Sequence, residues 1–199
     1  MYIRRATAKS IRGSIDLSRN RQYIKAVKSL VLIEFKKMKR ELLDQFKNHP
    51  VTVEIEAGPK ANNISGTLGG RGNLFSFIGF NSNDKPTQPI YRKLEQISLQ
   101  NTSISRDGRS KTFIFYPTAE EIFKVTPMPW AEGRSWAKGI ETGIAGFGAY
   151  LRKNDSGRSG AGIQTSSKIQ KGGFKNTKYI SSMIKDFEIR ILTLNKIVA

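Results

Sequence analysis

Residues 65–80 read SGTLGGRGNLFSFIGF, with Gly66, Gly69, Gly70 and Gly72 inside seven positions and an aromatic run behind them. Such a loop either cradles a phosphate or turns the chain ahead of a packed element, and the fold depends on which. A Walker loop ends in Gly-Lys-Ser/Thr, and the chain has no such end. The dinucleotide pattern G-x-G-x-x-G begins well at Gly70 and Gly72, but its third glycine position holds Phe75. In NLFSFIGF, Leu74, Ser76, Ile78 and Phe80 alternate with Phe75, Phe77 and Gly79, which predicts a central strand covered on both faces. A loop that leads into a strand reverses the geometry in which a helix N-terminus holds a pyrophosphate. The stretch therefore reads as a flexible turn plus a strand. Phe75, Phe77 and Phe80 belong to the core in preference to a base-stacking platform, and Arg71 is the turn's one candidate contact with DNA or a partner.

Immediately upstream, VTVEIEAG places Val51, Val53 and Ile55 opposite Thr52, Glu54 and Glu56, the alternation of a half-buried strand. Glu54 and Glu56 then share a face, expected to be solvated. Further back, Val27, Val31, Phe35, Met38, Leu42 and Phe46 recur at intervals of 4, 4, 3, 4 and 4, predicting a long amphipathic helix over 19–47. Leu32 and Ile33 make its middle apolar nearly all round, and the cations of KKMKR (36–40) line its polar side. His49, the chain's one histidine, precedes Pro50 and reads as part of a helix end.

Downstream, Ile90, Leu94 and Ile97 mark one side of a short helix, and Asp107-Gly108 marks a hairpin turn between TSIS and KTFIFY. Thr118 and Glu121 form a capping box for a helix that Pro127 stops. Ser135 caps another, in which Trp136, Ile140, Ile144, Phe147 and Leu151 recur at helical spacing. Gly139, Gly143, Gly146 and Gly148 within it each cost roughly 1 kcal/mol relative to alanine. Their presence suggests close approach by another backbone, making Gly139, Gly143, Trp136 and Phe147 candidate subunit-packing residues. Residues 152–178 read as an extended basic loop, and Ile180, Met183, Ile184, Phe187 and Ile191 as a C-terminal amphipathic helix. The expected fold is α+β, with a long N-terminal helix, a small, mostly antiparallel sheet and C-terminal helices. Residues 1–18 form a basic arm, and 19–199 a single domain.

The chain lacks cysteine and carries a net charge of +18. Without cysteine there is no disulfide, thiolate nucleophile or cysteine-based metal site. Residues 1–49 hold 13 basic and 4 acidic side chains and residues 152–178 hold 7 and 1, while 50–151 are nearly balanced at 11 and 9. Two basic segments thus flank a neutral body, a distribution attracted to phosphate backbones, acidic protein faces or anionic lipid. The candidate DNA- or partner-facing residues are Arg71, Arg152, Lys153, Arg158, Lys168, Lys171 and Lys175. No apolar run approaches the roughly 20 residues of a membrane span. The Arg- and Ser-rich opening is shared by transit peptides and by basic arms of nucleic-acid-associated proteins; the second reading, with a cytosolic history, is the simpler. No serine has a plausible His–Asp pair to activate it, because His49 is the one histidine available. A carboxylate-dependent nuclease would need Glu54, Glu56, Glu120 and Glu121, of which the last two read better as first-turn acids of a helix. The expectation is no enzyme, no metal and no cofactor.

The ordered segments KRELLDQFKNHPVTVEIEAGP, NISGTLGGRGNLFSFIGF, TPMPWAEGRSWAKGIETGIAGFGAYL and SGAGIQ resemble virion structural proteins of tailed bacteriophages, most of all the neck, or tail-completion, class. The similarity covers about residues 35–190, and the first 20 residues fall outside it. The resemblance implies an α+β protomer in a homo-oligomeric ring, a hexamer, between the portal or adaptor side of the head and the tail tube or tail terminator. It implies a virion location, contact with packaged DNA, no membrane and no catalytic residues. Alternatives are a tail terminator and a free basic nucleic-acid-binding protein.

Overall fold

The structure is a computed structural model and describes residues 16–68, 72–129, 131–142, 151–152, 163–164 and 177–197. It is a mixed α+β fold with a long N-terminal helix, antiparallel two-stranded pairing and C-terminal helices. Helix α1 spans Arg21–Asn48, about 42 Å at about 1.5 Å per residue. It starts where Asn20 Oδ1 accepts the amides of Gln22 and Tyr23, a side-chain cap on otherwise orphan donors. Every residue of its predicted stripe, from Val27 to Phe46, is buried, while Lys36, Lys37 and Arg40 are exposed.

The chain divides into two compact units, residues 1–41, 97–116 and 187–199 forming the first and 42–96 and 117–186 the second. The divisions fall inside α1 and inside the last helix. In the first unit, β1 (Ser98–Ile104) and β2 (Ser110–Phe115) form the predicted hairpin. Its turn requires Gly108: φ is +87°, and an added Cβ would stand 2.7 Å from Leu17 Cδ1. The Tyr23 hydroxyl donates to the Gly108 carbonyl at 2.8 Å and the Leu17 amide to that of Arg106 at 3.1 Å, tying the start of α1 to this turn. Lys39 Nζ donates to the Ile97 carbonyl, and Arg190 pairs with Glu41.

In the second unit two predicted strands are helices. Residues Pro50–Glu56 form α2, burying Val51, Thr52, Glu54 and Ile55 and leaving Val53 exposed. The alternation Val51, Val53, Ile55 thus does not share a face. What decides the element is its start: His49 Nδ1 accepts the Val51 amide, and Pro50 occupies the first helical position, where its missing N–H costs nothing. Glu54, expected on a solvated face, is fully buried. Leu74–Ile78, expected as a central strand, forms α3. Asn73 caps it through the Ser76 amide, and Gly79 at φ +88° closes it in the left-handed conformation, so two cap residues bracket five helical ones. Phe75 and Phe80 are core as expected, their rings 5.4 Å apart, and Phe77 is half-buried.

Helix α4 (Gln88–Glu95) buries Ile90 and Leu94, with Ile97 buried just beyond it. Helix α5 (Ala119–Lys124) carries the capping box of Thr118 and Glu121. Strands β3 (Pro127–Met128) and β4 (Ala131–Ser135) pair antiparallel, and Ser135 then caps α6 (Trp136–Thr142) through the Lys138 amide. The predicted continuation of that helix to Leu151 fails at its end: Leu151–Arg152 is β5, paired with β6 (Ile163–Gln164). The chain closes with α7 (Ile180–Ile197), which buries Ile180, Met183, Ile184, Phe187 and Leu194.

Tyr179 is the hub of the second unit. Its ring stacks on Phe46 and packs on His49 and Trp136, with centroids 6.2, 4.9 and 6.3 Å away. Its buried hydroxyl shares a 2.8 Å hydrogen bond with Thr52 Oγ1. Burial raises its pKa well above the usual tyrosine range.

Candidate functional site

The glycine-rich loop is built on one buried acid. Glu54 Oε2 accepts the Ser65 amide at 2.8 Å and Oε1 accepts the Leu74 amide at 2.7 Å. One carboxylate therefore gathers the two ends of the loop. Asn73 Nδ2 reinforces the base by donating to the Pro59 carbonyl at 2.9 Å. Gly66 and Gly72, at φ +66° and +76°, supply the left-handed turns just inside the clamp.

This arrangement answers the phosphate question differently from the sequence pattern. The loop does open a helix, so its direction no longer argues against an anion. Two of the donors that a bound phosphate would use are already taken: Glu54 accepts the Leu74 amide and Asn73 the Ser76 amide. Sequence reasoning missed Glu54 because its partners lie 11 and 20 residues away. An acid flanked by apolar residues after an N-terminal proline was the available signal.

The other acids proposed for metal-dependent chemistry are dispersed. Glu56 accepts from Thr87 Oγ1 at 3.0 Å, Glu120 pairs with Lys138 at 3.0 Å, and Glu121 is held by the Thr118 amide. The hydrogen bonds from Thr118 hold the Glu121 carboxyl below its ordinary pKa. Among the described residues, no group of three or more histidines, cysteines and acids is placed to hold a metal. His49 has an acceptor role at the α2 cap, and burial lowers its pKa, partly offset by a backbone hydrogen bond at Lys178.

A cleft of about 500 Å³ in the second unit is lined by Lys47, Ile55, Glu56, Asp84, Lys85, Pro86, Thr87, Gln88 and Tyr91. Lys47 Nζ lies 4.7 Å from the Tyr91 ring centroid. Its two lysines and two acids balance, so it offers no net charge for selecting an ionic ligand.

Of the predicted contact residues, Arg152 falls on β5, while Arg71, Lys153, Arg158, Lys168, Lys171 and Lys175 lie outside the described residues, as do Gly143 and Phe147. Trp136, expected at a subunit contact, is core: it is fully buried, edge-on to Phe80 at 5.8 Å and beside Tyr179. Gly139 is half-buried on α6. Large apolar side chains are exposed mainly on the first unit: Leu30, Leu32, Ile33, Phe113, Phe115, Ile189 and Leu192.

Comparison with protein-family models, curated proteins and solved structures finds no match for the chain. Among the described residues, no helix is long and apolar enough to cross a membrane.

Proposed function

We propose that the chain is a non-catalytic structural component of a tailed-phage neck: a homo-oligomeric ring, a hexamer, that joins the portal or adaptor side of the head to the tail and borders the DNA channel. The observation that carries this reading is the concentration of exposed large apolar side chains on one unit, in a chain whose basic segments flank a neutral body. Exposed apolar area of this kind is characteristic of surfaces covered in an assembly. The dispersal of the acids adds support, since each of the four has a structural partner. The basic segments would face packaged DNA or acidic neighbours through long-range attraction.

The test is reconstruction of intact particles by electron microscopy, with co-expression alongside the head and tail junction proteins. Ring density at the neck is the expected outcome; a chain found as monomers in cells and missing from purified virions overturns the reading. A second reading, a free nucleic-acid-binding protein, draws on the +18 net charge. It requires tight DNA binding by the isolated chain with a steep salt dependence, and weak binding near physiological salt removes it.

A further inference from the structure

A shallow groove of about 410 Å³ runs along the N-terminal half of α1, lined by Arg21, Ile24, Lys25, Lys28, Ser29 and Leu32. Its apolar floor is Ile24 and Leu32, two turns apart on one side of the helix. Its rim is cationic: Arg21, Lys25 and Lys28 are exposed, and among the described residues none pairs with a carboxylate. Arg21 and Lys25 stand at i and i+4, where like charges repel and weaken a helix. An apolar strip with one sign of charge along its edge is matched by an amphipathic helix whose apolar stripe is flanked by acids.

We infer that this groove docks an acidic amphipathic helix of another protein. Charge decides among the occupants. A second copy meeting this groove with its own would set Arg21, Lys25 and Lys28 against their counterparts, a like-charge repulsion confined to this groove that leaves ring contacts through other faces untouched. The chain's own residues 1–15 contain Arg4, Arg5, Lys9 and Arg12 and no acid, so they bring no charge complementary to this rim. Nucleic acid would satisfy the rim but leave the Ile24 and Leu32 floor unused. An acidic helix satisfies both. The inference does not rest on the neck assignment: absence from virions removes that assignment and leaves this one standing, and failure of the experiment below does the reverse.

The experiment titrates the full chain with a fluorescent 18-residue peptide of Leu, Ala and Glu, leucines at helical spacing, and with its counterpart carrying Lys for Glu. The glutamate peptide is expected to bind about tenfold more tightly or better at moderate salt, the gap narrowing as salt rises. The double variant Lys25→Glu/Lys28→Glu should invert that preference. Leu32→Gln should weaken the glutamate peptide by about fivefold, from lost apolar contact. These are exposed positions, and circular dichroism checks that the helix content of each variant is unchanged. Equal binding of the two peptides, no binding of either, or a preference indifferent to the charge reversal overturns the inference. So does a dimer in solution that Leu32→Gln dissolves, or a DNA duplex that displaces the peptide from this groove.

Discussion

The two units of this chain treat their large side chains in opposite ways. In the second, Phe46, Tyr179, Trp136 and Phe80 pack in a continuous series of ring contacts, and the buried polar groups Glu54, Thr52 and Thr67 are hydrogen-bonded within the unit. In the first, seven large apolar residues on α1, β2 and α7 are exposed, against two in the second, Val53 and Ile64. A unit whose largest side chains meet one another is held by its interior. One that leaves large apolar side chains in water has the kind of surface that, on the neck proposal, an assembly would cover. The difference separates residues whose loss should unfold the chain from residues whose loss should only isolate it.

The sharpest way to break that contrast is Trp136→Ala. Loss of a fully buried indole at the centre of the ring set should cost about 3–5 kcal/mol, read from denaturant unfolding followed by circular dichroism. A cost near zero would mean that the second unit is not held by this core. Next is Glu54→Gln, which keeps one acceptor for two amide donors and loses their charge assistance, for about 2–3 kcal/mol. Amide exchange sharpens this one, because the protection of Ser65 and Leu74 should fall before that of α2.

A smaller effect is expected from pH. The folded pKa of His49 is lowered by burial, so the unfolded chain takes up the proton first as pH falls. Its contribution is fully present above the ordinary value of 6.5 and declines as pH drops below it. His49→Asn keeps a capping side chain and should flatten the melting temperature across that window, whereas an unchanged slope would place the titrating group elsewhere. The smallest stability effect belongs to the first unit. Leu30→Ser, Ile33→Ser and Leu192→Ser should each lie within about 0.5 kcal/mol of the parent, because these side chains are already in water. Incorporation into particles should fall in the same variants; normal incorporation would detach the exposed residues from assembly.

The long-range pattern was legible where apolar spacing is unambiguous. The stripe from Val27 to Phe46 and the C-terminal helix needed no more than a 3.6-residue period, and the capping box at Thr118 and the Asp107-Gly108 turn were read from local chemistry. Pro50–Glu56 and Leu74–Ile78 were misread because helices of seven and five residues are too short for periodicity to outvote alternation. Their caps held the information: His49-Pro50 before one, Asn73 and Gly79 around the other. Glu54 was illegible as a clamp, since the amides it binds come together only in the folded chain. Trp136 was assigned to a contact by its glycine-rich neighbourhood, and the aromatic rings packed on it, Phe80 and Tyr179, come from the segment after α3 and from just before α7.

The Glu54 clamp has a practical consequence for handling the molecule. Because one carboxylate joins Ser65 to Leu74, the base of the loop is closed independently of how many residues run between them. Each doubling of loop length costs only about 0.6 kcal/mol in closure entropy. A tetracysteine or epitope tag inserted between Leu68 and Gly72 should leave α2 and α3 in place. The clamp is thus a ready attachment point for a label with which to follow this chain into whatever assembly it joins.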